Sequence, residues 1–318
     1  MVLQRSSLAA ILLMMVMTWA CRGADEHPNE SLNALTDSIS DYLNDPSTFP
    51  QADSMLRRAF STPGAAQAEA YPVLIYHQGM LHFYRGEMKE AKAEFLRLYD
   101  MLPVEVQPDF SASVPQNLGI IYRREGQTDS AFHYYDRALE GAIALDDPDW
   151  LGTTYMNIGI LHHTIGHYSE AEQYLDKAND YAHEADDAYV VLCVQQVRAG
   201  NKLMLKKTEQ AEECIHEAWP LALESESADW QVRCLSTMVA LFDELQQPDS
   251  ANYYIKIGSA LLGALPPEGI TTIGFLTARA NHYYKEKLWA EAIDDYQTLF
   301  KCKNSGTREP DVMERMAQ

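Results

Sequence analysis

Residues 118–147 read LGIIYRREGQTDSAFHYYDRALEGAIALDD, and residues 158–187 read IGILHHTIGHYSEAEQYLDKANDYAHEADD. The second stretch is the first displaced by 40 positions: Gly119 falls on Gly159, Gly126 on Gly166, Ala131 on Ala171, Ala138 on Ala178, and Asp146-Asp147 on Asp186-Asp187. Self-similarity at such a period marks one supersecondary unit built repeatedly, since each unit alone cannot bury its apolar face.

Working outward, the alanine recurs as Ala52, Ala91, Ala131, Ala171, Ala211, Ala251 and Ala292, at intervals of 39 to 41 residues. Four residues after each stands a large apolar or aromatic side chain: Leu56, Phe95, Tyr135, Leu175, Ile215, Ile255 or Tyr296. Seven after it come Ala59, Leu98, Ala138, Ala178, Ala218, Gly258 or Leu299. Positions i, i+4 and i+7 share one helix face, so every alanine opens an apolar stripe. Twelve before it come Ser40, Gly79, Gly119, Gly159, Ala199, Val239 and Ala280, mostly small, as closely approaching helices require. Gly86, Gly126 and Gly166, five before their alanines, suit a turn with positive φ. The predicted unit is helix, tight turn, helix, repeated about seven times in an all-α chain.

This pattern resembles the tetratricopeptide repeat. Leu118-Gly119, Tyr122, Gly126, Ala131, Tyr135 and Ala138 carry the likeness, as do Ile158-Gly159, Gly166, Tyr168, Ala171 and Ala178, and the last unit keeps Ala280, Tyr283, Trp289 and Tyr296. The Ala211 and Ala251 units depart most, with Arg198-Ala199 and Met238-Val239 at the leading pair. The resemblance implies an α-α superhelix over residues 33–306, with an inner and an outer face. The family's usual period is about 34 residues. The extra residues are expected in the second helix and its exit, as from Ala138 to Asp147.

The start of the chain reads differently. Arg5 gives a positive beginning, Leu8 to Met17 is almost unbroken apolar sequence, and Ala20 precedes Cys21, the layout of a secretory signal. The stretch is too short to span a bilayer, which takes roughly 20 apolar residues. Ala20-Cys21 resembles the end of a bacterial lipoprotein signal, implying a lipid on Cys21, although Thr18 and Trp19 depart from that pattern. The alternative is an ordinary cleaved signal with Cys21 incidental. Asp25-Glu26 weakly resembles the acidic cluster of surface-displayed lipoproteins of Bacteroidota. The expected organisation is a signal peptide at 1–20, a lipid-anchored tether at 21–32, the array at 33–306 and a short segment at 307–318, where Val312 and Met313 begin an incomplete cap. The expected location is the cell envelope, on the periplasmic or the surface face of the outer membrane.

Lys plus Arg is 25 against 46 Asp plus Glu, a formal charge of −21. That balance repels nucleic-acid phosphates and anionic headgroups, so a nucleic-acid partner is not expected. The acids are spread without long runs, as on a solvated surface. Cys193, Cys214, Cys234 and Cys302 show neither metal-ligand spacing nor the density of a disulfide scaffold, and are expected as buried free thiols.

Catalytic signatures are weak. His162, His163 and His167 cluster, but Gly166 should end the helix before His167, and no HExxH or nearby cysteine completes a zinc site. The Asp-Asp pairs at 146–147 and 186–187 read as helix terminators, because an acid/base dyad needs a closed cleft. No GxSxG, Walker or dinucleotide fingerprint occurs. No catalytic residue, metal or cofactor is assigned, and an enzyme is not expected. Tyr122, Tyr135, Tyr283 and Tyr296 fall at framework positions and read as core.

Residues fifteen, eleven and eight before each alanine share one face of the first helix. In the first unit these are Asp37, Asp41 and Asn44, in the second Tyr76, Met80 and Phe83, in the third Gln116, Ile120 and Arg123, and in the fourth Met156, Ile160 and His163. The middle is apolar with a basic edge, to which Arg124 adds. Tyr76, Met80, Phe83, Gln116, Arg123, Arg124, Met156 and His163 are the predicted contacts of an extended protein or peptide partner carrying an apolar anchor and an acid, since guanidinium pairs bidentately with carboxylate. The simpler alternative is that both arginines pair with acids of neighbouring repeats. The expected function is a lipid-anchored scaffold that binds on its concave face. The alternatives are a glycan- or nutrient-binding surface lipoprotein, for whose insertions the regular spacing leaves no room, and the sensor portion of a longer membrane-bound regulator. Glu172, beside Ala171, is expected on the solvent side.

Overall fold

Six times, five residues before a framework alanine, the backbone turns left-handed: at Gly86, Gly126 and Gly166 with φ of 77°, 73° and 81°, and at Lys206, Gln246 and Lys287 with 59°, 57° and 61°. The next residue donates its N–H to a carbonyl five positions back, as Gln127 does to Tyr122 at 2.9 Å and Leu288 to Tyr283 at 2.8 Å. This closure satisfies carbonyls that a helix end leaves unpaired. Glycine marks only three of these turns in the sequence. In the others the hydrogen-bonded closure holds a lysine or glutamine in a conformation that costs a side-chain-bearing residue roughly 1–2 kcal/mol.

The computed structural model describes residues 28–101 and 108–303, which hold fourteen α-helices in seven hairpins, six of them closed by such turns. They are α1 (Pro28–Leu43) with α2 (Phe49–Phe60), α3 (Tyr71–Tyr84) with α4 (Met88–Met101), α5 (Pro108–Arg124) with α6 (Thr128–Leu145), α7 (Pro148–Thr164) with α8 (Tyr168–Glu184), α9 (Ala188–Met204) with α10 (Thr208–Glu224), α11 (Ala228–Glu244) with α12 (Pro248–Leu261), and α13 (Ile270–Lys285) with α14 (Trp289–Lys303). All seven expected hairpins are present, those around Ala211 and Ala251 included, and no strand occurs among the described residues. None of the described helices is long and apolar enough to cross a membrane. The expected signal peptide, Cys21 and the segment 307–318 lie outside the described residues. The chain divides into two compact units that part between Gly141 and Ala142, within α6.

The framework alanines are fully buried, with Ala292 at 2 %. The large residues four positions on are buried too, among them Phe95, Tyr135 and Leu175 at 0 %. Each removes roughly 1.5–3 kcal/mol worth of apolar surface from water. The small residue on the first helix exists to receive them. A Cβ added at Gly119 would stand 2.5 Å from the Tyr135 ring, and one at Gly79 would stand 2.7 Å from the Phe95 ring. Where Ala199 takes the small position, Ile215 replaces the ring in the same cluster. In these three pairs a larger small residue comes with a smaller large one, as close packing favours.

Asp146 and Asp186 adopt φ of 51° and 54° and end their helices. Asp147 and Asp187 start the next ones. Their carboxylates accept from Asp149 N and Tyr189 N, each at 2.9 Å, as N-caps. Cys193, Cys214, Cys234 and Cys302 are buried free thiols, and burial pushes Cys193 and Cys234 up to about 12.

Three expectations are corrected. Ser40 is exposed, not packed: residues 44–48, with a 3-10 turn at Pro46–Thr48, separate α1 from α2 where residues 85–87 suffice in the next hairpin. The longer turn shifts the register of α1, so Ile39 and Leu43 point inward instead. The array also begins earlier than residue 33, since α1 starts at Pro28 and Leu32 is fully buried. Finally, lengthening is not confined to the second helix: α7 and α8 both have 17 residues, against 14 in α3 and in α4, whose hairpin keeps nearly the same spacing.

Candidate partner-binding face

In the first unit the predicted contacts of α3 and α5 meet one another. The Tyr76 ring lies 5.3 Å from Phe110 and 6.0 Å from Phe95. Asn117 Nδ2 reaches Met80 Sδ at 3.5 Å. Tyr76 and Met80 are therefore half-buried in packing between successive first helices. Burial raises the Tyr76 phenol above its ordinary value, opposed by hydrogen bonds with Ser113 and Asn117. Arg123 Nε donates to the hydroxyl of Tyr135 at 3.4 Å, which ties it to a framework ring and not to an acid. Gln116 is half-buried on α5. At the end of this face the Arg124 guanidinium lies 5.1 Å over the Phe83 ring and 3.8 Å from Met88 Sδ. Beside them Tyr84, 50 % exposed, stacks on Phe49 at 6.1 Å.

In the second unit Met156 packs on Ala178, Ala182 and Val194. His163 Nδ1 stands 3.1 Å from Oδ1 of Asn201, a fully buried residue. Asn201 Nδ2 in turn donates to the Tyr168 carbonyl at 3.0 Å and to Glu172 at 2.9 Å. Glu172 also meets Lys202 Nζ at 2.6 Å and Arg198 Nε at 3.5 Å. Its side chain is 12 % exposed, so the expectation of a solvent position is wrong. The residue after the framework alanine faces the first helix of the next hairpin, which a single-helix pattern does not reveal. Burial works to raise the Glu172 carboxyl, but hydrogen bonds from Lys202 and Asn201, with the charges of Lys202 and Arg198, outweigh it and hold the group below 4.5.

The three histidines do not form one cluster, although the His162 and His167 rings lie 6.0 Å apart. His162 stacks on Tyr174 at 5.1 Å, whereas His163 turns to Asn201. Among the described residues no three of His, Cys, Asp or Glu are grouped to hold a metal ion.

One recurrent feature escapes the sequence reading. The residue three past the alanine stacks on the one nine before it: Tyr134 on Tyr122 at 5.2 Å, Tyr174 on His162, and Tyr254 on Phe242 at 5.3 Å. The tyrosines recur at the repeat period, a visible signal masked by the stronger stripe one residue on. Lysines accompany the first two stacks, Lys92 at 4.0 Å from the Tyr122 ring and Lys177 at 5.9 Å from that of Tyr174. Burial, then the neighbouring Tyr122 and Tyr99, pushes the Tyr134 phenol up to about 12.

Residues 111–180, which run from α5 into α8, match the family profile of the tetratricopeptide repeat. Solved structures share the arrangement. The apo form of RapI matches at a TM-score of 0.69 with 11% identity, over 86% of this chain and 98% of that one. A Rap protein complexed with Competence and Sporulation Factor matches at 0.65 with 13% identity, over 94% of both chains. A tetratricopeptide repeat protein from Parabacteroides merdae matches at 0.57 with 16% identity, over 90% and 97%. At these identities the likeness is one of fold, that of a helical-hairpin scaffold.

Proposed function

We propose that this chain, whose hairpins are of the tetratricopeptide type, is an exported, lipid-anchored scaffold of the cell envelope that holds a protein or peptide partner against its first helices. The edge of α3 and α5 carries the reading. There Phe83 lies under the Arg124 guanidinium with exposed Tyr84 alongside, placing an apolar anchor point and a cation together on a chain of charge −21. A partner segment with an apolar side chain next to a carboxylate matches both. A Rap protein of the same fold was solved in complex with Competence and Sporulation Factor, in keeping with a ligand-holding role.

A photocrosslinker at position 83 identifies the partner. Phe83→Ala and Arg124→Ala, in variants that keep their helical circular dichroism, then each weaken it by about 1–2 kcal/mol. Unchanged affinity in both moves the partner off this face. Arg123→Ala is the wrong probe, because it also removes a hydrogen bond to Tyr135. Cys21→Ser is expected to leave the membrane fraction, and retention equal to that of the wild type removes the lipid from the proposal.

A further inference from the structure

An open notch of about 160 Å³ lies between α10, α11 and α12. Drug-sized ligands need clefts of ~300–1,000 Å³, so this one has room for the head of a single side chain. Its walls are aromatic: the stacked Phe242 and Tyr254, and the indole of Trp219. Ile215, Met238 and Leu241, all nearly fully buried, form the apolar floor. Glu212 stands at the rim with His216 on the same helix.

The repeat register shows what is missing. Glu212 follows a framework alanine by one residue, and Phe242 precedes the next by nine. At the α4–α5 junction the same two positions hold Lys92 and Tyr122, with the ammonium 4.0 Å from the ring centroid and 2.7 Å from Glu125. At the α8–α9 junction they hold Glu172 and Lys202, 2.6 Å apart. One junction sets a cation on an aromatic stack, the other a cation on a carboxylate. The Glu212 junction has both the stack and the carboxylate, yet among the described residues no lysine or arginine stands over Phe242 or Tyr254. The Glu212 carboxylate stands 3.9 Å from the exposed imidazole of His216.

We propose that this notch receives the arginine or lysine side chain of a partner protein. The ring faces attract the cation through their quadrupoles, an attraction that grows as the rings shed water. Glu212 supplies the countercharge, and the apolar floor takes the last methylenes of the stem. A free small cation would leave that stem without a carrier and would contact too few atoms to bind well. The site uses none of the α3–α5 edge and stands or falls without it.

Three blocked peptides, Gly-Ser-X-Ser-Gly with X as arginine, lysine or norleucine, are titrated into the full chain while the Trp219 indole N–H is followed by NMR. The arginine and lysine peptides are expected to shift it saturably and the norleucine peptide is not. Glu212→Gln, at a partly exposed position that leaves the core intact, should weaken the arginine peptide about two- to fivefold. Phe242→Leu should do likewise if it remains folded, and His216→Ala should not weaken binding. Equal shifts with norleucine, no shift with any peptide, or unchanged affinity in Glu212→Gln each overturns the proposal.

Discussion

Lys92 and Glu172 stand at the same place in their repeats, one residue past the framework alanine, yet the junctions they serve are held by opposite means. At the α4–α5 junction the Lys92 ammonium lies on the Tyr122 ring and meets Glu125, with the two charged side chains 21 % and 31 % exposed. At the α8–α9 junction Glu172, Lys202 and Asn201 form a network largely withdrawn from water, the Glu172 and Lys202 side chains 12 % and 9 % exposed and Asn201 fully buried. The repeat therefore fixes how close the helices come, through its alanine, its small residue and its large one, and leaves the chemistry at the facing position free. Burial then sets the stakes. A half-exposed cation on a ring contributes little, whereas one member of a nearly buried pair cannot be removed without stranding the other.

The sharpest break of this comparison is Glu172→Leu, expected to destabilise by about 3–5 kcal/mol because Lys202 is left buried and unpaired. Chemical denaturation measures it. The same residue makes a pH prediction with a definite sign. Its folded-state pKa lies below 4.5, so its contribution is complete well above that pH and is lost as the pH falls through the folded value. The stability gap between the wild type and Glu172→Gln should therefore narrow on acidification below pH 4.5. A gap that widens there means the carboxylate is not what the network needs.

Next in size is Ala171→Leu, where a fully buried alanine at a helix crossing gives no room. Overpacking of that kind costs typically about 1–3 kcal/mol, read as a lower thermal midpoint. Lys92→Met should cost only about 0.5–1 kcal/mol, the range of a partly exposed cation–ring contact. A loss as large as that of Glu172→Leu would erase the distinction between the junctions. Smallest is Gln173→Ala, the true surface control on α8, expected to stay within about 0.5 kcal/mol of the wild type.

For the candidate face, the sequence placed Tyr76, Met80, Phe83 and Arg123 on first helices, here α3 and α5, but not the use of each side chain. Tyr76 and Met80 are drawn into packing by Phe110 and Asn117, more than 30 residues away. The stacks at Tyr134, Tyr174 and Tyr254 were readable from their spacing, and with them one wall of the Glu212 notch. Of the cations beside them, Lys177 sits three residues past Tyr174 on the same helix and was equally readable, whereas Lys92 reaches Tyr122 from the preceding hairpin and was not.

The sequence by itself determined the number of hairpins, the helix faces that pack in all but the first hairpin, the helix ends at Asp146 and Asp186, and the buried free thiols. Each of these follows from spacing along one helix or one turn, where covalent geometry converts residue number directly into direction. Only the tertiary structure decided that Glu172 is largely covered, that Ser40 is not, that Arg123 belongs to Tyr135, and that Glu212 faces an aromatic stack over which none of the described lysines or arginines stands. Those outcomes depend on which residues two helices bring opposite each other, and a turn two residues longer, as between α1 and α2, is enough to change that register.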